Sequence, residues 1–355
     1  MYVMNAIIEN RLIERLAGAF PRSPNQLNGL RESDAELIRL PGADALIAIT
    51  TDAVVEEIEA GLYEDPYLIG WMAVMVNASD LAAVGAEPVG ILLIETLKPD
   101  EDEFFLAKLQ EGIRDACTAC NLMVLGGDTN FSSQRQIAGT ALGTIRDGRP
   151  LTRLGCAPGD RLFASSRLGL GSAFALSQLR PKRHRRIKVD YRPLARLSEG
   201  QLLRRFASCC MDTSDGVIPT LDELMQLNEV GFIMDRPLHN LLHPAAVRIA
   251  ASASLPAWTM LAGPHGEFEL LFTIPEACSA EFEESARSSG WTPLPIGFVT
   301  DEPGLRMEFD DGLSTVDSSR IRNLFTDGGG DPESYIAELI RLDALLRVQA
   351  TSSTS

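Results

Sequence analysis

The chain has 355 residues, 45% of them hydrophobic, and a formal charge of −17. That length exceeds one ordinary domain and suits two, and the acidic excess argues against general affinity for nucleic acid or anionic membrane surfaces. No apolar run approaches the roughly 20 residues of a membrane helix, and "MYVMNAIIENRLIERL" mixes acidic residues with helical periodicity, unlike a signal peptide, so a cytoplasmic protein is expected.

An N-terminal helix is expected over residues 5–19. An apolar strand follows at 45–52, "ALIAITTD", and then a long helix from Tyr67 to Val84. Gly85 stands at its C′ position and Pro88 shortly after. "VGILLIE" reads as a strand, "DEFFLAKLQEGIRDACTAC" as an amphipathic helix, and "NLMVLGGD" and "QIAGTALGTIRDG" as further strands. The turn Pro158-Gly159-Asp160 then opens a second unit. It contains helices at "LGLGSAFALSQL", "ARLSEGQLLRRFAS" and "VIPTLDELMQLNEVG", the last closed by Gly231. "CCMD", "GFIMD", "FELLFTIP" and "LPIGFVT" supply its strands. The layout is α/β in two domains, 1–150 and 151–325, with a linker, a terminal helix and a disordered "TSSTS" tail over 326–355.

The six cysteines fit neither a disulfide framework nor paired zinc motifs. Cys117 and Cys120 form a single CxxC inside a helix end, so packing is their expected use. The basic cluster "RPKRHRRIK", Arg180 to Lys188, reads as a solvated loop. An anion-binding loop closing over a phosphorylated substrate is the alternative.

Several carboxylates resist a purely structural reading. Asn77 and Asp80 lie three apart on a helix that is apolar on nearly every face, so they share one side of it. A carboxylate there is costly to bury without a cation or several donors. An N-cap role fails, because the apolar pattern begins well before Asp80. Asp52 ends one strand, Asp128 ends "LMVLGGD", and Asp212 and Asp215 sit in "MDTSDG". One such aspartate is an ordinary turn residue. A set of them at strand and helix ends points to a ligand site, which α/β proteins place at strand carboxyl ends. Converging carboxylates repel unless divalent cations lie among them, and magnesium suits an all-oxygen site completed by substrate phosphates. Gly126-Gly127 would let backbone N–H groups approach phosphate oxygens. Nothing matches the Walker pattern. The residues themselves therefore indicate a magnesium–phosphate site and go no further.

The ordered motifs "TTDAVVEE", "NASDLAAVGAEP", "LGGDTNFSS", "TRLGCAPGD", "LARLSEGQ" and "MDTSDGV" resemble those of the superfamily of thiamine-monophosphate kinase, aminoimidazole ribonucleotide (AIR) synthetase, selenophosphate synthetase and a hydrogenase maturation factor. The wording is most similar to thiamine-monophosphate kinase. The resemblance implies the PurM-like two-domain α/β fold, with N-terminal strands building a barrel across a homodimer. It implies an enzyme that uses ATP and Mg²⁺ on a small-molecule acceptor. Asp34, Asp52, Asp80, Asp128 and Asp215 would hold the metal. Gly126, Gly127, Thr129, Asn77 and Ser214 would border the nucleotide. Asp128, Arg153 and Asp215 would be catalytic, Arg153 as a cation beside the transferring phosphoryl group.

Departures from the family pattern lie mainly on the acceptor side. The Gly-Asp-Asp-Ala-Ala segment becomes "RESDAELIRL", which keeps Asp34 and loses one carboxylate. Val-Glu-Gly-x-His-Phe becomes "VEEIEAG", and Gly-Gly-Glu-Asp-Tyr-Glu-Leu becomes "GPHGEFEL", with Glu267 in place of the aspartate. A kinase with a diverged acceptor, an ATP-driven ligase or cyclase, and a non-catalytic nucleotide-binding dimer all remain open at this point.

Overall fold

A computed structural model describes residues 8–179, 187–309 and 312–353. Residues 180–186 of the basic cluster lie outside this description. In chain order the first elements are α1 (Ile8–Ala17), β1 (Glu36–Arg39), β2 (Leu46–Ala53), α2 (Val55–Glu59), α3 (Pro66–Ala83), β3 (Glu87–Leu97), α4 (Glu103–Ala119), β4 (Met123–Phe131) and β5 (Gln136–Ile145). Then come β6 (Arg161–Ala164), α5 (Leu170–Leu179), α6 (Leu197–Leu203), β7 (Cys209–Asp212), α7 (Val217–Asn228), β8 (Gly231–Met234), α8 (Leu238–Leu241) and α9 (Pro244–Ala253). The last are β9 (Leu270–Ile274), α10 (Glu276–Ser288), β10 (Leu294–Thr300), β11 (Gly304–Phe309), β12 (Gly312–Val316), α11 (Ser318–Asp327) and α12 (Pro332–Ser353).

The described residues form two compact units. The first comprises Ser23–Thr152 with Arg192–Arg205, and the second takes the described residues of 8–22, 153–191 and 206–353.

In the first unit five strands run in the order β1-β2-β5-β3-β4, and the sheet is open within the chain. β3 and β4 are parallel and the other pairs antiparallel. Helix α3 starts where Asp65 accepts the Tyr67 N–H at 3.0 Å and Pro66 fills the first helical position. It ends at Gly85, whose φ of 70° only glycine adopts cheaply. Since α3 is apolar on most faces, it is buried along most of its length, as its composition requires. The amphipathic α4, capped by Asp102 on the Phe105 N–H, packs against it.

In the second unit a sheet runs β12-β11-β8-β10-β6-β9-β7, with β11 and β8 parallel. Phe163, Phe272, Phe282 and Trp291 form an aromatic cluster against this sheet. One expectation needs correcting. Gly231 does not close α7: Glu229 turns left-handed at φ 55° and Gly231 opens β8, where a Cβ would meet Glu302 O at 1.9 Å. The terminal helix runs from Pro332 to Ser353, and no glycine or proline interrupts it after Pro332. Among the described residues no helix is long and apolar enough to cross a membrane.

Candidate metal and phosphate site

In the first unit the approach to β1 and the last turn of α3 bring Asp34 and Asp80 together, with a carboxylate oxygen of each within 4.8 Å of the other. Two anions that close repel by about 3 kcal/mol at the effective dielectric of a protein surface, so an all-oxygen cation such as Mg²⁺ fits the pair. Thr50 Oγ1, on β2, donates to Asp80 Oδ2 at 2.5 Å and fixes that carboxylate from the sheet side. Asp52 and Asp128 do not join this close group.

Asp52 is exposed near the end of β2, opposite Gly139 of β5. Its backbone is held by Asn77, which is fully buried: Asn77 Oδ1 accepts the Asp52 N–H at 3.0 Å, and Nδ2 donates to Ala73 O at 3.0 Å. Asn77 thus shares a helix side with Asp80, as its spacing indicated, and its amide is engaged by the chain's own backbone.

Asp128 is placed differently from the expectation. It stands inside β4 rather than at its end, opposite Ile94 of β3, because the parallel pairing runs on to Phe131. The register slips between Ile91 and Leu92, where Leu125 is the extra residue of β4 and Gly126 beside it has a φ of 152°. At Gly127 a Cβ would lie 2.1 Å from Leu93 O, so its glycine is required by strand packing whatever it binds. Gly126, Gly127, Asp128 and Thr129 are all exposed on this edge strand. Asn130 Nδ2 donates to Asp128 Oδ2 at 2.8 Å, a two-residue spacing that puts both on one strand face. Sequence reasoning passed over Asn130 and Thr50, although that period-two pattern was available for the first.

In the second unit Asp212 ends β7 fully buried, and its Oδ1 accepts from the Ser214 hydroxyl at 3.0 Å. Ser214 is half-buried and Asp215 exposed, just ahead of Gly216 and the start of α7. Arg153 is half-buried, and its carbonyl accepts from Asn228 Nδ2 at 2.9 Å. The CxxC pair behaves as packing: burial pushes Cys117 up to about 11 and Cys120 up to about 12, so neither offers a thiolate near neutral pH.

Asp34 and Asp80 both fall within the part of the chain that matches a known protein family. The family described as AIR synthase related protein, N-terminal domain, matches residues 32–145. Thiamine-monophosphate kinase of Escherichia coli (strain K12) is 32% identical over 250 residues, covering 68% of this chain and 75% of the relative. The Archaeoglobus fulgidus thiamine-monophosphate kinase is 30% identical over 266 residues, 74% and 83% of the two chains. Among solved structures, tt0281 from Thermus thermophilus is similar with a TM-score of 0.69 at 27% identity, covering 84% of this chain and 96% of that one. AaThiL complexed with AMPPCP and TMP gives 0.66 at 22% identity, covering 84% and 91%. The chain belongs to the thiamine-monophosphate kinase family of AIR synthase-related proteins, and so to the kinase-like phosphotransferases.

Proposed function

We propose that the chain transfers a phosphoryl group from ATP, with Mg²⁺, to a small-molecule acceptor whose pocket departs from that of the thiamine-monophosphate kinases. The carrying observation is the close approach of the Asp34 and Asp80 carboxylates. Asp52, Asp128 and Asp215 complete the proposed metal set. Bound Mg²⁺ neutralises phosphate charge. Thr50 orients Asp80, and Asn77 fixes the backbone of Asp52. Gly126, Gly127, Thr129 and Ser214 border the nucleotide in this reading, and Arg153 supplies a fixed cation for developing charge.

The diverged acceptor rests on "VEEIEAG" and "GPHGEFEL", which replace family segments beside a largely retained carboxylate set. Purified protein with ATP, Mg²⁺ and thiamine monophosphate, followed by phosphorus NMR, tests it. The expectation is ATP binding with little diphosphate product. Turnover of thiamine monophosphate at the level of the E. coli relative would overturn the diverged pocket, and failure to bind ATP would overturn the nucleotide reading.

We also propose a homodimer built on the β3–β4 side of the sheet. Leu92, Ile94, Met123, Val124, Leu125 and Phe131 are exposed there, on and beside an edge strand that natural proteins cover. Sedimentation analysis should show a dimer that Leu125→Lys weakens; a wild-type monomer would refute it.

A further inference from the structure

Glu267 is 4% exposed and lies in the loop between Gly263 and β9. Its Oε2 accepts the backbone N–H groups of Gly169 at 2.9 Å and Gly171 at 3.3 Å, at the start of α5. Its Oε1 is buried with no hydrogen-bond partner. An anion so placed is costly, and burial pushes Glu267 up to about 8. The groups around it give little relief. Glu269 is itself a carboxyl, bonded by Ser165 Oγ, and His265, whose Nδ1 lies 3.3 Å from Gly171 O, is kept neutral by burial. Tyr191 spends its hydroxyl on Gly266 O.

The same loop supports a second one. Gly266 N–H donates to Ser214 O at 2.8 Å, Thr213 N–H to Glu269 O at 2.8 Å, and Glu269 N–H to Thr213 Oγ1 at 3.0 Å. Glycine stands where the backbones cross. A Cβ on Gly171 would lie 2.1 Å from Gly266 O, and one on Gly266 would lie 1.5 Å from Thr213 O. Three backbone segments are therefore layered in direct contact: the Gly169–Gly171 turn, the Gly263–Glu269 loop and the Thr213–Gly216 loop.

We propose that Glu267 is a positioning residue: by clamping the Gly169–Gly171 turn to the Gly263–Glu269 loop, it holds the Thr213–Gly216 loop, and with it Ser214 and Asp215, in place. The aspartate of the family pattern is one methylene shorter, so the reach to both amides belongs to the glutamate. The clamp stands on geometry within the second unit, and its consequence for phosphoryl transfer rests on the function proposed above.

Amide hydrogen exchange on the full chain without nucleotide, corrected for intrinsic rates, tests it with wild type, Glu267→Gln and Glu267→Ala at pH 6.5 and 9. In the wild type, residues 169–171 and 213–216 should exchange at least tenfold faster at pH 9, with the β9 and β10 amides unmoved. Glu267→Gln should abolish that pH dependence, and Glu267→Ala should speed both segments at either pH. Should Glu267→Ala not fold, the wild-type and Glu267→Gln profiles decide alone. Protection at 213–216 that is independent of pH in the wild type, or equally pH-sensitive in Glu267→Gln, would overturn the clamp. So would full protection there in a folded Glu267→Ala. Since no ATP is present, either result is independent of nucleotide binding.

Discussion

The buried side chain of Asn77 accepts the backbone N–H of Asp52 at 3.0 Å, which ties helix α3 to strand β2 one helical turn from Asp80. On its other side a Cβ added at Gly139 would meet Asn77 Nδ2 at 2.7 Å. Asn77→Ala removes the partner of the part-buried Asp52 N–H and empties a fully buried side-chain site, and should cost about 1–3 kcal/mol in urea unfolding. Gly139→Ala strains the same contact, so the double variant should lose less than the sum of the single losses. Simple additivity would mean that the two residues act independently.

Gly126 and Gly127 should respond differently to alanine. At Gly127 the added Cβ meets the Leu93 carbonyl at 2.1 Å, backbone against backbone, whereas at Gly126 the nearest atom is Leu92 Cδ2 at 3.7 Å and only the φ is unfavourable. Gly127→Ala should disrupt the β3–β4 pairing and lower the melting temperature by several degrees, more than Gly126→Ala does. The opposite order, by calorimetry, would contradict this packing.

Glu223 on α7 is buried and receives both Arg322 of α11 and Asn10 of α1, at 2.5 and 3.0 Å. Breaking a buried pair strands the remaining charge, so Arg322→Met should cost about 3–5 kcal/mol. Arg322→Met combined with Glu223→Gln should recover part of that loss. No recovery would show that the cost lies in lost packing and not in the stranded carboxylate.

His265 and Glu267 should shape stability against pH in opposite senses. Burial holds His265 down at about 4, below its ordinary 6.5, so the unfolded chain binds more protons there and stability is lost as pH falls from 6.5 toward 4. Glu267 is raised from 4.5 to about 8, so the folded chain holds the extra proton and stability is lost as pH rises through that window. The two oppose each other up to pH 6.5, and above it the Glu267 decline stands alone. Each is worth up to about 3–5 kcal/mol, from the unit-to-energy conversion, as an upper bound. Urea unfolding of wild type and His265→Gln across pH 4 to 9 measures it. Parallel curves for the two proteins would contradict the histidine contribution.

Much of this is legible in the sequence because it depends on local pattern. The apolar wrap of α3, its stop at Gly85, and the shared side of Asn77 and Asp80 follow from helical spacing alone. The approach of Asp34 to Asp80 joins residues 46 apart, so periodicity could not reveal it, and only the family motif flags Asp34. The place of Asp128 escapes such reading because two glycines normally end a strand, whereas here one follows a register slip at Leu125 and the other admits a neighbouring carbonyl. Glu267 stands out in the sequence only as a departure from a motif. Its bonds to Gly169 and Gly171 span nearly one hundred residues and appear only in the fold.

The central claim is that paired carboxylates hold a metal-bound nucleotide, and Asp80→Asn tests it most directly, since the amide keeps the shape and removes the charge. Titration calorimetry of ATP in excess Mg²⁺, with circular dichroism to confirm the fold, should show affinity lowered at least tenfold relative to wild type. A folded Asp80→Asn protein that binds ATP with unchanged affinity and unchanged Mg²⁺ dependence would contradict it.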